Sequence, residues 1–237
     1  MIAVTFALPE ESGEFLGSLP NVRALGLAEE RVFRGELENR EILVAHTGVG
    51  LEAAARRTAQ LLAAHRPEML ISTGFAGGLD SRIATADVVI ATNFSAPHLL
   101  EKSRALANGR IHFGALTSQL APAETVAQKA ILHRETGAIA VDMESAAIAA
   151  ACTQAGVPLL VARAISDPAL EPLPVPFAEW FDLAVQRPRP LALIRFLLLH
   201  PSRILPFARF VRGLTPARRA MADFLRRFHH AVALDRI

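Results

Sequence analysis

Three carboxylates, Glu11, Glu144 and Asp167, fall at the ends of strand-like runs. Acid groups near a cleft are costly unless paired or used. These three come from distant segments that one architecture can bring together. Carboxylates so placed can hold hydroxyl groups, take a proton from water or, when protonated, donate to a departing group. Glu11 and Asp167 also have ordinary readings, as does Asp142. An acid at a helix start, such as Glu11 or Asp142, gains about 0.3–1 kcal/mol from the helix dipole, and Asp167 before Pro168 suits a turn. Two glycine-bearing turns accompany them, Thr47-Gly48-Val49-Gly50 and the STGFAGG run at 72–78. Their backbone N–H groups can converge on an anion or a sugar hydroxyl. Alone each turn is weak, because such turns are common in α/β proteins. The eight histidines show no metal-ligand spacing. His229 and His230 are adjacent and point to different faces. Cys152, inside an alanine-rich run, reads as a small core residue.

The elements that must position these groups alternate along the chain. Short apolar runs rich in Val and Ile occupy 2–7, 42–46, 69–73, 88–92, 111–117, 138–141 and 157–165. Their near-continuous apolarity suits strands covered on both faces. Helices are expected from Pro9, with Glu10 and Glu11 in the first turn, over 51–64, and over 143–155 before Gly156. The interval 24–46 reads as a hairpin, with 31–37 and 41–46 around Asn39. The fold class is α/β, layered, with a mixed and largely parallel sheet.

The net charge of +2 conceals two unlike parts. Residues 1–186 carry 14 Lys+Arg against 21 Asp+Glu, whereas 187–237 carry 11 Arg against 2 Asp. Six of the 15 prolines fall between Pro168 and Pro190, around a helix-like turn at 177–185. The reading is a catalytic domain at 1–167, a proline-rich linker at 168–190 and an amphipathic basic helical tail at 191–237. Within the tail the best helix is 217–228, with Thr215 as its cap and Pro216 at its first position. Its apolar face carries Ala217, Ala220, Met221, Phe224, Leu225 and Phe228. The run 191–199 is far shorter than the roughly 20 residues needed to cross a bilayer. The tail can lie on an anionic membrane, at about 1 kcal/mol per basic residue, or simply pack on the sheet or a dimer interface. Its many Leu, Ile and Phe residues argue against nucleic acid. The single cysteine excludes a disulfide scaffold and suits a reducing cytoplasm. The start, MIAVTFALPEE, does not read as a secretion signal.

The motifs ALPEE at 7–11, HTGVG at 46–50, STGFAGGL at 72–79, AIAVDMESAAIA at 138–149 and RAISD at 163–167 resemble the superfamily of purine nucleoside phosphorylases and 5′-methylthioadenosine/S-adenosylhomocysteine nucleosidases. The resemblance implies a three-layer nucleoside-phosphorylase-like fold, a homodimer, and cleavage of an N-glycosidic bond with no cofactor. It implies that Glu144 holds the ribose 2′ and 3′ hydroxyls with Met143 against the sugar. Asp167 would assist the departing purine at N7, and Glu11 would activate water. Gly74, Phe75, Ala76 and Arg163 would complete the substrate site, with Thr47, Gly48, Val49 and Gly50 as the turn facing the nucleophile or an anion. Phosphate is the alternative co-substrate. Water is favoured, because Leu51 follows Gly50 and 75–79 holds no basic residue to bind a dianion.

Two departures bear on the substrate. The stretch 93–110 is short and carries one aromatic, Phe94, and Ala121-Pro122 stand where methylthioadenosine nucleosidases place a Phe-Ile pair. A small enclosed pocket for a 5′-alkylthio group is therefore not expected. The ending, with Asp167-Pro168, Leu173-Pro174, Arg189-Pro190 and the 200–205 segment, is similar to the hopanoid-associated members of the superfamily. That resemblance implies a lipid-linked nucleoside, adenosylhopane, as substrate, and a cytoplasmic enzyme peripheral to the inner membrane surface.

Overall fold

A computed structural model describes residues 1–25 and 32–234. The chain runs β1 (Ile2–Phe6), α1 (Pro9–Leu16), β2 (Arg23–Leu25), β3 (Val32–Leu37), β4 (Arg40–His46), α2 (Leu51–His65), β5 (Met69–Gly78), β6 (Val88–Ala91), α3 (Pro97–Arg104), β7 (Ile111–Gly114) and β8 (Leu116–Ser118). It continues through α4 (Val126–Thr136), β9 (Ala140–Asp142), α5 (Ser145–Ala155), β10 (Leu159–Asp167), α6 (Phe177–Trp180), β11 (Phe181–Asp182), β12 (Arg187–Pro188), α7 (Pro190–Leu199) and α8 (Ile204–Leu234).

The main sheet has the order β2-β3-β4-β1-β5-β10-β6-β7, with β9 on β5 and β8 on β9. Its centre is parallel, β1 pairing with β4 and β5, and β5 with β10. The β2-β3-β4 edge is antiparallel, so the mixed, largely parallel sheet expected from the strand pattern is present. Its hairpin turns at Glu38 and Asn39, both with positive φ, as type I′ geometry demands. Arg31, the expected start of that hairpin, lies outside the described residues.

Period-two alternation divides the buried strand residues between two faces. Ile2, Val4 and Phe6 join one core cluster with Phe15 of α1, Leu99 of α3 and Phe224 of α8. Ala3 joins the other with Leu61 of α2 and Ile148 of α5. In β10 the same split sends Leu160 and Ala162 one way and Val161 and Ile165 the other. Helices thus cover both faces and give three layers. Cys152 is buried in the second cluster, and burial pushes its thiol up to about 12.

Two local expectations are corrected. The glycine run after Thr73 is not a turn; β5 continues through Gly78. Nor do Thr215 and Pro216 start a helix, since α8 runs unbroken from Ile204 to Leu234 with Pro216 inside it. The stretch read as the best tail helix is part of the core. Ala217, Met221, Phe224, Leu225 and Phe228 are at most 2% exposed and share a cluster with β1, β5 and β10.

Candidate active site

The carboxyl ends of β1, β5, β9 and β10 meet at one pocket of about 620 Å³. This is where an open α/β sheet collects ligands. Glu11, Glu144 and Asp167 all lie on its wall, with Phe75, Ala76, Met143 and Val49.

Glu11 sits in the first turn of α1, which Pro9 opens. Its Oε2 accepts from the amides of Ala7 and Leu8 at 2.9 and 3.0 Å, and its Oε1 from the amide of Phe75 at 2.9 Å. Burial nevertheless raises its pKa above the ordinary carboxylate value, the three amides and Arg163 opposing. Gly74 makes this placement possible. Its φ is +147°, and a Cβ there would stand 3.0 Å from Glu11 Oε1. Gly77 does the same for Asp167, whose Oδ2 would be 3.2 Å from an added Cβ. The glycine strip is therefore a smooth strand over which two carboxylates can lie, rather than a cradle of amides.

Glu144 stands at the start of α5, and its Oε1 accepts from the amide of Gly50 at 2.8 Å. Its pKa is pushed up to about 8, first by burial and then by the neighbouring Asp142, with Arg163 opposing. Asp142 is more than a helix-start acid. It takes Arg163 Nε at 2.8 Å, Ser118 Oγ at 2.6 Å and the Ser145 amide. Arg163 also donates to Ser72 and Ser145 at 3.0 and 2.8 Å. This ties β5, β9, β10 and α5 together beneath the pocket. Arg163, expected in the substrate site, does not line the main pocket. It borders a second cavity of about 10 Å³ behind Glu11 and Glu144, which Thr47, Ser72 and Gly74 also border. That is the room of about one water molecule.

The turn at 47–50 also departs from expectation. It was to present free amides to a nucleophile or anion, but each is engaged. Thr47 N and Gly48 N donate to the carbonyls of Phe6 and Ala7. Val49 N donates to Gln186 Oε1 at 2.7 Å, and Gly50 N to Glu144. Of the four, Val49 alone lines the main pocket.

Asp167 ends β10. Burial raises its pKa, while Lys129 and Ser166 pull it down. Lys129 has no visible signal in the sequence. Its α4 begins with a capping box, Thr125 with Gln128, a mark that can be read from residue types. Nothing in QKAIL, however, foretells a lysine with 0% exposure. Its Nζ lies 2.6 Å from Asp167 Oδ2 and donates to the carbonyls of Glu171 and Pro168 at 2.7 and 2.9 Å. The ammonium thus fixes both the carboxylate and the turn that follows it.

The other wall comes from the proline-rich stretch and α8. Phe177, Trp180 and Phe181 pack edge-on and tilted against one another and face the pocket with Leu173, Gln186 and Arg187. Phe210, Leu214 and Arg218 of α8 complete the mouth. In the sequence, 177–185 reads only as a helix-like turn, and nothing in it signals that its aromatic rings line the same pocket as the carboxylates. Deeper in α8, Met221 Sδ accepts from the amide of Gly74 at 3.1 Å. Among the described residues no group of three or more His, Cys, Asp or Glu could hold a metal ion.

A model of the phosphorylase superfamily matches residues 1–100 and 95–196 in two overlapping stretches. The 5′-methylthioadenosine/S-adenosylhomocysteine nucleosidase of Glaesserella parasuis is 30% identical over 223 residues, spanning 81% of this chain and 96% of that protein. The enzyme of the same name from Shewanella baltica is 26% identical, over 86% and 99%. The fold matches that of the S. pneumoniae nucleosidase bound to a transition-state inhibitor, with a TM-score of 0.75 and 23% identity over 98% and 99% of the two chains. It also matches a futalosine hydrolase mutant of Helicobacter pylori, with a TM-score of 0.74 and 20% identity over 97% and 98%. With matches of this extent along its sequence and its fold, the chain belongs to the phosphorylase superfamily, as an enzyme of nucleosidase type.

Proposed function

We propose that the protein hydrolyses the N-glycosidic bond of a 5′-modified adenosine, releasing adenine, and that the 5′ substituent is a large apolar group, as in adenosylhopane. The observation that carries the reading is the convergence of Glu11, Glu144 and Asp167 on one pocket wall. Breaking a purine N-glycosidic bond places positive charge on the ribose and negative charge on the base. Glu144 beside the ribose hydroxyls offsets the first in its ionised form, which the Gly50 amide and the Arg163 charge favour. Proton delivery to N7 through Asp167, whose Oδ2 is held by Lys129 Nζ at 2.6 Å, relieves the second. Glu11 takes the proton from the attacking water.

Water rather than phosphate is supported by space and by the engaged amides. The cavity bordered by Glu11, Glu144 and Arg163 is about 10 Å³, enough for one water and too small for a phosphate dianion. The amides at 47–50, which a dianion would need, are engaged by Phe6, Ala7, Gln186 and Glu144. The apolar 5′ group is supported by the apolar side chains of Phe177, Trp180, Phe210 and Leu214, which line the pocket.

The test is to incubate the purified protein with adenosylhopane and with methylthioadenosine, each with and without phosphate, and to detect free adenine. Release from adenosylhopane without phosphate is expected. Release from methylthioadenosine alone overturns the lipid-linked assignment, and a strict phosphate requirement overturns hydrolysis.

A further inference from the structure

The pocket mouth opens beside an unusual surface. Of the thirteen large hydrophobic side chains exposed among the described residues, nine lie between Leu183 and Val211. Leu191, Leu198 and Leu199 are 82%, 74% and 65% exposed. From Leu183 to Ala222 the chain carries eight arginines and no Asp or Glu. Arg195, Arg203, Arg209 and Arg212 are exposed, and none has an acidic partner among the described residues. The surface is continuous with the mouth, since Arg187, Pro188, Phe210 and Leu214 belong to the same segment and line the pocket.

We infer that the elbow formed by α7 and the first half of α8 is a docking surface for an anionic lipid bilayer, which sets the pocket mouth against the membrane. The inference rests on the lipid-linked reading for its purpose, although docking itself can be measured with no substrate present. Exposed aliphatics flanked by unpaired arginines match the two layers of such an interface, apolar chains below and anionic headgroups above.

The elbow lies on a membrane rather than crossing it. No single helix is long and apolar enough to span, and α7 meets the following helix at 111°. At 1.5 Å per residue the ten residues of α7 reach about half of a 30 Å hydrocarbon core. Drawing in α8 as well would strip Met221, Phe224 and Phe228 from the sheet they pack on. A second copy of the chain is a poorer occupant, because a patch with eight arginines and no Asp or Glu, set against itself by a two-fold contact, offers those arginines no acidic partner. Nucleic acid leaves the exposed leucines unexplained.

The experiment is co-sedimentation of the full chain with vesicles of phosphatidylcholine alone and with vesicles containing about one third phosphatidylglycerol. Binding is expected to the mixed vesicles, weakening at high salt. The double variant Leu198→Asp/Leu199→Asp and the double variant Arg195→Glu/Arg203→Glu should each bind at least about tenfold less, with melting temperatures unchanged. Equal binding by parent and variants, or no binding to either vesicle, overturns the inference. So does a preference for duplex DNA, or a dimer that the Leu198→Asp/Leu199→Asp variant splits into monomers. Docking without adenine release from a lipid-linked nucleoside would leave the surface standing and remove the substrate reading. Release without docking would do the reverse.

Discussion

The floor and the mouth of the pocket are built on opposite plans. On the floor every charged group is buried and held by named partners. Glu11 takes three amides, Asp142 takes Arg163, and Asp167 takes Lys129. At the mouth, aromatic and aliphatic side chains from α6 and α8 stand among arginines with few fixed bonds. A buried polar network tolerates little displacement, because each member left unsatisfied carries a desolvation cost. An apolar rim can change shape by substitution at modest cost. Under the proposed function, reaction type belongs to the floor and substrate choice to the rim, a division that can be tested from both ends.

The largest effect is expected at Asp167. Asp167→Asn removes the transferable proton and should lower turnover by about 10²–10⁴-fold. Lys129 keeps its carbonyl acceptors on Pro168 and Glu171, so the protein should still fold. Near-parental turnover would take Asp167 out of the chemistry. Next comes Lys129→Met, which strands a buried carboxylate and should lower unfolding free energy by about 3 kcal/mol in urea titrations at neutral pH. The loss should shrink in acid, where Asp167 can take a proton. Adding Asp167→Asn should restore most of it, and purely additive losses would show that the pair is not coupled.

Glu144 gives a smaller effect with a distinct sign. Its pKa of about 8 lies above that of an unfolded glutamate, about 4.3. Its contribution to stability is therefore fully present below about 4.3 and is lost as pH rises through about 8. Glu144→Gln should melt at the parental temperature in acid and progressively above it toward pH 8, while weakening ribose binding. A constant offset across that range would contradict the assignment. The smallest effect is at the rim. Trp180→Ala should raise KM for a bulky 5′-substituted nucleoside by about tenfold and leave kcat nearly unchanged. A fall in kcat instead would mean that the rim reaches the reacting bond.

The floor was largely legible in the sequence because its groups are fixed by local grammar. Pro9 starts the helix carrying Glu11, Asp142 caps the helix that Glu144 begins, and Asp167 ends a Val/Ile-rich strand. What stayed hidden depends on contacts between remote segments. Lys129 is an ordinary helical lysine until β10 comes down beside it. Gly74 and Gly77 look like turn formers, and only the neighbouring carboxylates reveal them as clearance for side chains. The two halves of α8 have similar basic, apolar compositions, yet Ile204 is 48% exposed and Phe228 is fully buried. Composition cannot say which half meets the sheet, since that depends on where β1 and β10 present their apolar faces.

The bond from the Gly74 amide to Met221 Sδ makes the strand under Glu11 depend on a segment that the ribosome delivers after all three carboxylates. Phe224 and Phe228 pack in the same core as Met221, and Phe210 of the same helix lines the pocket. The wall of the pocket is therefore complete only once a helix made later than Asp167 has docked on the sheet.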